Sequence, residues 1–130
     1  MNSLQRCFAI ILPSACFSFA AAAVEVYEGS LTAPNNAQQD THFRLTLKYD
    51  LNPDNTITGI LQVNPWGPCI KGDGRPISGV IEGGKLTFET VASELKGCGI
   101  NRFRGVKKGD AWAGTISFQG GRREITLKKQ

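Results

Sequence analysis

Two short stretches of the sequence carry residue types that could do chemistry. The stretch Trp66–Cys69 has the sequence Trp-Gly-Pro-Cys, which is close to the apolar-Gly-Pro-Cys sequence found in dithiol redox sites. Such a site needs a second cysteine three positions before Cys69, and Trp66 occupies that position. In the stretch Asp40–His42, the only histidine of the chain lies close to a carboxylate, as in a general base. We expect a surface histidine at the start of a strand instead, because no activated nucleophile accompanies it.

The sequence predicts neither a metal site nor a cofactor site. The stretch Lys71–Gly74 has too few acidic positions for a calcium loop, so we interpret it as a turn. No nucleophile-elbow motif surrounds Ser30, Ser78, Ser93 or Ser117. We therefore expect a protein without catalytic activity.

The first 23 residues have the layout of a cleaved secretory signal peptide. Arg6 gives a short positive region, an apolar run follows, and the small residues Ala20–Ala23 suit signal peptidase. Pro13 interrupts the run, which is short for a membrane span of about 20 residues. We therefore expect an exported protein, periplasmic or secreted, with one mature domain over residues 24–130. The alternative is lipid anchoring at Cys16.

Export would leave Cys69 and Cys98 as the only cysteines of the mature chain. In an oxidising compartment two cysteines are best explained as one disulfide, so we predict a Cys69–Cys98 bond without redox activity. Closing a loop of about 30 residues stabilises a fold by roughly 3–4 kcal/mol on the chain-entropy model.

The net charge of +4 is distributed unevenly along the chain. Residues 24–95 contain 5 Lys/Arg against 9 Asp/Glu, whereas residues 96–130 contain 9 against 2. We interpret this basic sector as ordinary solvated charge, with an acidic protein partner or an anionic envelope polymer as the alternative. Nucleic acid is not an expected partner, because binding it would need aromatic side chains between the cations on one face of a strand. Phe103 and Trp112 instead fall on the face that is predicted to point into the core.

Regular turn signals divide the mature chain into eight short strands with period-two alternation. Phe43, Leu45, Leu47 and Tyr49, for example, share one face of a strand whose other face is polar. No helix longer than two turns is expected after Val24. The predicted strands cover residues 24–33, 42–50, 55–63, 76–82, 84–91, 99–106, 111–119 and 122–129.

A glycine recurs on the apolar phase of four strands, at Gly29, Gly59, Gly79 and Gly114. A glycine weakens a strand, so a recurrent inward glycine needs a structural reason. Sharp coiling of the strands around a narrow core supplies one. The sequence therefore predicts an all-β fold: a monomeric, closed, eight-stranded antiparallel up-and-down barrel, with a two-sheet β-sandwich as the alternative.

The barrel topology places the long connections at one end. In an up-and-down barrel alternate connections fall at opposite ends, and the long ones follow the first, third and fifth strands. Cys69 and Cys98 would then lie at the same end, as a disulfide requires. We place a binding surface there, because long loops on a rigid scaffold are where function usually lies. Its predicted contacts are Trp66, Lys71, Arg75 and Lys96.

Two interpretations of Trp66 and two of the function are open at this point. Trp66 is either an exposed anchor for a partner or a plug that closes the barrel end. The first function is binding of a macromolecular partner through the stapled loops, for instance as an inhibitor of a hydrolase. The predicted barrel architecture is similar to that of small exported barrels such as bacterial hydrolase inhibitors and lipocalin-like barrels. A similarity of architecture alone does not identify the function.

The second function is carriage of a small apolar ligand inside the barrel, which needs a cavity of about 300 Å³ or more. The bulk of the predicted interior favours a packed core instead. That interior consists of eighteen residues: Tyr27, Leu31, Phe43, Leu45, Leu47, Tyr49, Ile57, Leu61, Ile77, Ile81, Leu86, Phe88, Phe103, Trp112, Ile116, Phe118, Ile125 and Leu127.

Overall fold

The structure, a computed structural model, describes residues 24–34, 39–118 and 121–130. The predicted signal peptide, with Cys16, and residues 35–38 of the first long connection lie outside the described residues. Within these ranges all regular structure is β-strand. In chain order the strands are β1 (Glu25–Pro34), β2 (Asp40–Leu51), β3 (Thr56–Asn64), β4 (Arg75–Glu82), β5 (Lys85–Thr90), β6 (Arg102–Lys108), β7 (Ala111–Phe118) and β8 (Gly121–Lys129).

The strands form a closed antiparallel barrel in which each strand pairs with the next along the chain. The ring closes where β1 meets β8, at the register pairs Tyr27↔Lys129 and Glu28↔Lys128. The predicted up-and-down barrel is therefore confirmed, and the sandwich is not formed. Closure gives every strand a hydrogen-bonded neighbour on both sides, which removes the exposed edges that favour aggregation.

Seven strands begin and end within two residues of their predicted bounds, and β6 is the exception. It was expected at 99–106 and occupies Arg102–Lys108. The reason lies at Asn101, whose backbone N–H donates to Thr90 Oγ1 at 2.9 Å instead of to a backbone carbonyl. The threonine side chain thus takes the place of a ladder acceptor, and the ladder between β5 and β6 begins one residue later.

The predicted interior is confirmed almost residue by residue. Fifteen of the eighteen residues are buried, and Phe43, Ile81 and Phe118 are partly buried against the same core. This outcome follows from the period of two along each strand, because one register fixes which face every side chain occupies. Four further buried residues were not in the predicted set: Ala33, Arg75, Thr90 and Gly105.

The inward glycines let neighbouring strands approach very closely. A Cβ atom added at Gly59 would meet the Lys48 carbonyl oxygen, and one at Gly114 would meet that of Arg104. At Gly79 it would meet the Thr87 carbonyl oxygen and, at 2.7 Å, the Cβ of Phe88. The predicted coiling around a narrow core is therefore achieved mainly by backbone approach, with room for a large side chain as a secondary effect.

Replacing Gly114 with alanine should therefore be costly. The added methyl group would press on backbone that cannot move without breaking the ladder. We expect Gly114→Ala to lower the free energy of unfolding by about 3 kcal/mol or more, at or above the upper part of the range for overpacking. Urea denaturation followed by circular dichroism would measure the loss.

Gly99→Ala is the matched control, because a Cβ there meets nothing within 4 Å and the backbone is not left-handed. This change should alter the free energy of unfolding by no more than about 0.5 kcal/mol. Equal stabilities of the two variants would show that strand approach at Gly114 does not constrain the fold.

Candidate functional site

The two ends of the barrel differ in the length of their connections. At one end, here called the turn end, tight turns join β2 to β3, β4 to β5 and β6 to β7. At the other, here called the loop end, residues 65–74 join β3 to β4 and residues 91–101 join β5 to β6. Strands β1 and β7 also end at the loop end, and β2 and β8 begin there, because the strands run antiparallel.

The turn end is filled by aromatic side chains. The rings of Tyr27 and Tyr49 stack with their centroids 5.7 Å apart. Trp112 is buried beside them in the core, and the Lys107 ammonium lies 4.8 Å from the centroid of its ring. Burial, followed by the hydrogen bond with Tyr27, raises the pKa of the Tyr49 phenol well above its usual value. The interior of the barrel is therefore packed at the turn end, as was predicted for the whole interior.

The loop end contains the predicted disulfide. Cys69 and Cys98 are bonded with their Cα atoms 5.4 Å apart, so the bond joins the β3–β4 connection to the β5–β6 connection. Both cysteines of the described chain are used in this bond. The staple interpretation of the Trp-Gly-Pro-Cys stretch is thus confirmed.

Arg75 was predicted as a contact on the binding surface, but the structure buries it. Its side chain is 5 % exposed. It pairs in register with Leu61, and since cross-strand partners point to the same face, it faces inward. Its Nε and Nη2 donate to the Val91 carbonyl oxygen at 3.0 and 2.8 Å, and its Nη1 donates to that of Gly99 at 2.9 Å. Arg75 therefore holds the β5–β6 connection in place.

The other three predicted contact residues are exposed at the loop end. Trp66 has 63 % of its surface exposed, so it is not a buried plug. Its ring lies over Gly72, where an added Cβ would be 3.5 Å from Trp66 Nε1. Lys71 and Lys96 are exposed on the two stapled connections. The structure thus brings Trp66, Lys71 and Lys96 to one end of the barrel, and of the three Trp66 lines a cavity there.

The cavity has a volume of about 610 Å³ and opens at the loop end. Inward residues of the barrel wall, including Leu31, Leu61 and Ile116, form its deep part. Trp66 and Ile100 line it nearer to solvent. Almost all of the described lining is apolar, and none of these residues carries a titratable group, because Cys69 is in the disulfide.

The packed interior predicted from the sequence is thus correct for the turn end and wrong for the loop end. Near the turn end the inward rings of Tyr27 and Tyr49 stack, and Trp112 is buried beside them. Near the loop end the inward side chains include the small Ala33 and Val63, and the larger Phe43 and Phe118 line the cavity without filling it. The small size of Ala33 and Val63 is the part of this difference that could be read from the sequence.

Arg123 is a further residue at the loop end that the sequence analysis did not select. It pairs in register with Ile116 and alternates with the buried Ile125, so it lies on the inward phase of β8. Its Nε donates to the Thr32 carbonyl oxygen at 3.2 Å, and its guanidinium carbon lies 5.5 Å from the centroid of the Phe118 ring. Phe118 itself lines the cavity.

Across the described ranges, no three side chains of His, Cys, Asp or Glu are grouped in a way that could hold a metal ion. The same ranges contain no helix long and apolar enough to cross a membrane. His42 is exposed on β2.

Comparison of the sequence with protein-family models and with curated proteins gave no match. We therefore infer the function from the geometry of the loop end.

The two tryptophans provide a matched test of the Trp66 position. Because Trp66 is largely exposed and Trp112 is buried, the same substitution should have opposite consequences for stability. We expect Trp66→Ala to change the free energy of unfolding by no more than about 1 kcal/mol. Trp112→Ala should lower it by about 3–5 kcal/mol, the usual cost of deleting a buried tryptophan. Thermal and urea denaturation would measure both, and an early-melting Trp66→Ala variant would restore the plug interpretation.

Proposed function

We propose that this protein binds a small apolar molecule in the loop end of its barrel and performs no catalysis. The observation that carries this proposal is the cavity of about 610 Å³. Its volume falls within the range of about 300–1,000 Å³ that is usual for small-molecule sites. The mouth of a β-barrel is also one of the places where such sites preferentially occur.

The chemistry of the lining supports an apolar occupant. Leu31, Leu61, Val63, Ile116 and Phe118 present hydrocarbon to the cavity. Each methylene group that a ligand buries there would contribute about 0.8 kcal/mol. Thr41 and Asn101 are the polar side chains of the described lining, and they could orient a polar atom of the ligand. Binding is favoured over catalysis because this lining has no acid, base or thiol.

The rigidity of the loop end also supports binding. The disulfide joins the two long connections, and the three hydrogen bonds of Arg75 attach one of them to the barrel wall. A site held in this way loses little conformational entropy when a ligand enters, so more of the contact energy appears as affinity.

Filling the cavity should abolish binding. Val63 lines the cavity, and the bulky side chain of Val63→Trp would occupy the space of the ligand. We expect this variant to bind the neutral fluorescent apolar molecule N-phenyl-1-naphthylamine at least tenfold more weakly than the unchanged protein does. A fluorescence titration would measure both dissociation constants.

Val106→Trp is the matched control, because Val106 is 43 % exposed on β6, away from the loop end. It makes the same chemical change and should leave the affinity unaltered. If both variants bind as the unchanged protein does, or if that protein does not bind, the cavity is not a ligand site.

A second candidate is a macromolecular partner that docks on the loop end. The specific observation in its favour is an exposed apolar rim: Trp66, Leu95 and Ile100 have 63, 49 and 38 % of their surfaces exposed. Lys71 and Lys96 add positive charge beside it, which fits an acidic protein or an anionic envelope polymer. In this function the Trp66 connection would enter a cleft of the partner, as in an inhibitor of a hydrolase.

Native mass spectrometry of the protein purified from its own host separates the two candidates. A small-molecule adduct supports the first, and a protein adduct that is lost in Trp66→Ala supports the second. As the anchor of a partner, Trp66 would account for about 2 kcal/mol or more of the binding free energy.

We further propose that the chain is exported as a monomer after removal of residues 1–23. The Cys69–Cys98 disulfide supports export, because such bonds persist mainly in oxidising compartments. Closure of the barrel supports a monomer, because each of the eight strands already has a hydrogen-bonded neighbour on both sides.

A further inference from the structure

We infer that the molecule held in the cavity is an amphiphile with one anionic head group, of the alkyl carboxylate type. This inference rests on the proposed function and adds the charge of the ligand to it. It is carried by two inward-facing arginines at the loop end, Arg75 on β4 and Arg123 on β8.

Both arginines share a face with residues that line the cavity. Arg75 pairs in register with Leu61, and Arg123 pairs with Ile116. Directly opposed residues of antiparallel strands point to the same side of the sheet, so both arginine side chains leave the strand on its inner face. Each arginine occupies an inward position of its strand, where an apolar residue would otherwise be expected.

The two arginines lie on opposite sides of the ring, and both contact residues of the cavity lining without belonging to that lining themselves. In a ring of eight strands β4 and β8 are separated by three strands on either side. Arg75 Nη1 donates to the carbonyl oxygen of Gly99, a residue of the cavity lining. The guanidinium carbon of Arg123 lies 5.5 Å from the ring centroid of Phe118, another lining residue.

Neither charge is balanced by a carboxylate within the described ranges. The two ion pairs there join Arg102 to Glu89 and Lys129 to Glu25. The hydrogen bonds recorded for Arg75 and Arg123 all go to backbone carbonyl oxygens: Val91 and Gly99 for the first, Thr32 and Arg122 for the second. Carbonyl dipoles satisfy the N–H groups but leave the net positive charge in place.

An uncompensated cation in a medium of low polarity favours a nearby anion much more than the same cation in water does. The Phe118 ring, which is part of the apolar lining, lies beside the Arg123 guanidinium and keeps water from one side of it. Arg123 is the better placed to touch a head group, because it is only partly buried and lies beside the cavity mouth, whereas Arg75 is buried. An alkyl chain would occupy the deep part of the cavity, and the anionic head would lie at the rim near Arg123.

The test compares three ligands that share one chain and differ in the head group: decanoate, decan-1-ol and decylammonium. Isothermal titration calorimetry at low ionic strength would give the three dissociation constants. We expect decanoate to bind at least tenfold more tightly than decan-1-ol, and decylammonium to bind most weakly. Added sodium chloride should narrow the difference, because the head group lies at a partly exposed rim.

Arg123→Gln removes the charge and keeps a side chain of similar polarity. It should reduce the affinity for decanoate to that for decan-1-ol, while the affinity for decan-1-ol stays unchanged. Arg122→Gln is the matched control: it makes the same change in net charge at the adjacent, exposed position and should keep the preference for decanoate. Arg123→Lys should retain part of the preference, since it keeps the charge and loses the planar fork.

The outcomes separate this inference from the proposed function. Equal affinity for decanoate and decan-1-ol, or tightest binding of decylammonium, overturns the inference and leaves the proposed function standing. Equal losses in Arg122→Gln and Arg123→Gln also overturn it, because net charge and not the inward arginine would then govern binding. If none of the three ligands binds, the proposed function fails and the inference fails with it.

Discussion

At Gly59, Gly79 and Gly114 neighbouring strands come so close that a methyl group would strike the carbonyl oxygen of the next strand. This close approach makes the strands coil tightly and lets eight short strands close into a narrow ring. In a ring of this kind, the size of the inward side chains decides which parts are filled. Tyr27, Tyr49 and Trp112 fill the turn end, whereas the inward side chains at the loop end, among them Ala33 and Val63, leave a cavity. The close approach of the strands at these glycines thus helps to determine the shape of the barrel and of the cavity at its loop end.

The loop end needs its own support, because long connections have few regular hydrogen bonds. Two different interactions provide it. The disulfide joins the β3–β4 connection to the β5–β6 connection, and Arg75 reaches from the barrel wall to the Val91 and Gly99 carbonyl oxygens. The first limits the freedom of the unfolded chain, and the second gives the buried Arg75 guanidinium the hydrogen-bond acceptors without which its burial would be costly. Together they hold Trp66 and the cavity rim on the barrel, so that an aromatic ring is presented beside an apolar site.

Much of this architecture could be predicted from the sequence, because strand phase and turn signals are local properties. Alternation such as Phe43, Leu45, Leu47 and Tyr49 fixed the inner face, and the parity of the connections brought Cys69 and Cys98 to one end. The role of Arg75 could not be predicted in this way. An arginine beside a predicted loop reads as a surface charge, and only the register with Leu61 shows that it faces inward. The cavity was missed for a related reason, since it depends on how side-chain volumes add up across strands that are distant in sequence. Arg123 could not be predicted for the same two reasons. Its inward direction depends on the register with Ile116, and the Thr32 carbonyl oxygen that it contacts lies 91 residues away in the sequence.

We propose that the apolar molecule occupies the loop-end cavity and no other surface of the barrel. Intermolecular nuclear Overhauser effects between protein methyl groups and decan-1-ol test it most directly, because they report which side chains touch the bound chain. We expect such effects from the methyl groups of Leu31, Val63 and Ile116, which line the cavity. The exposed methyl groups of Leu51 and Val106 serve as the comparison, because neither residue belongs to the lining. Effects confined to Leu51 and Val106, or none from the lining residues at saturating decan-1-ol, would contradict the claim.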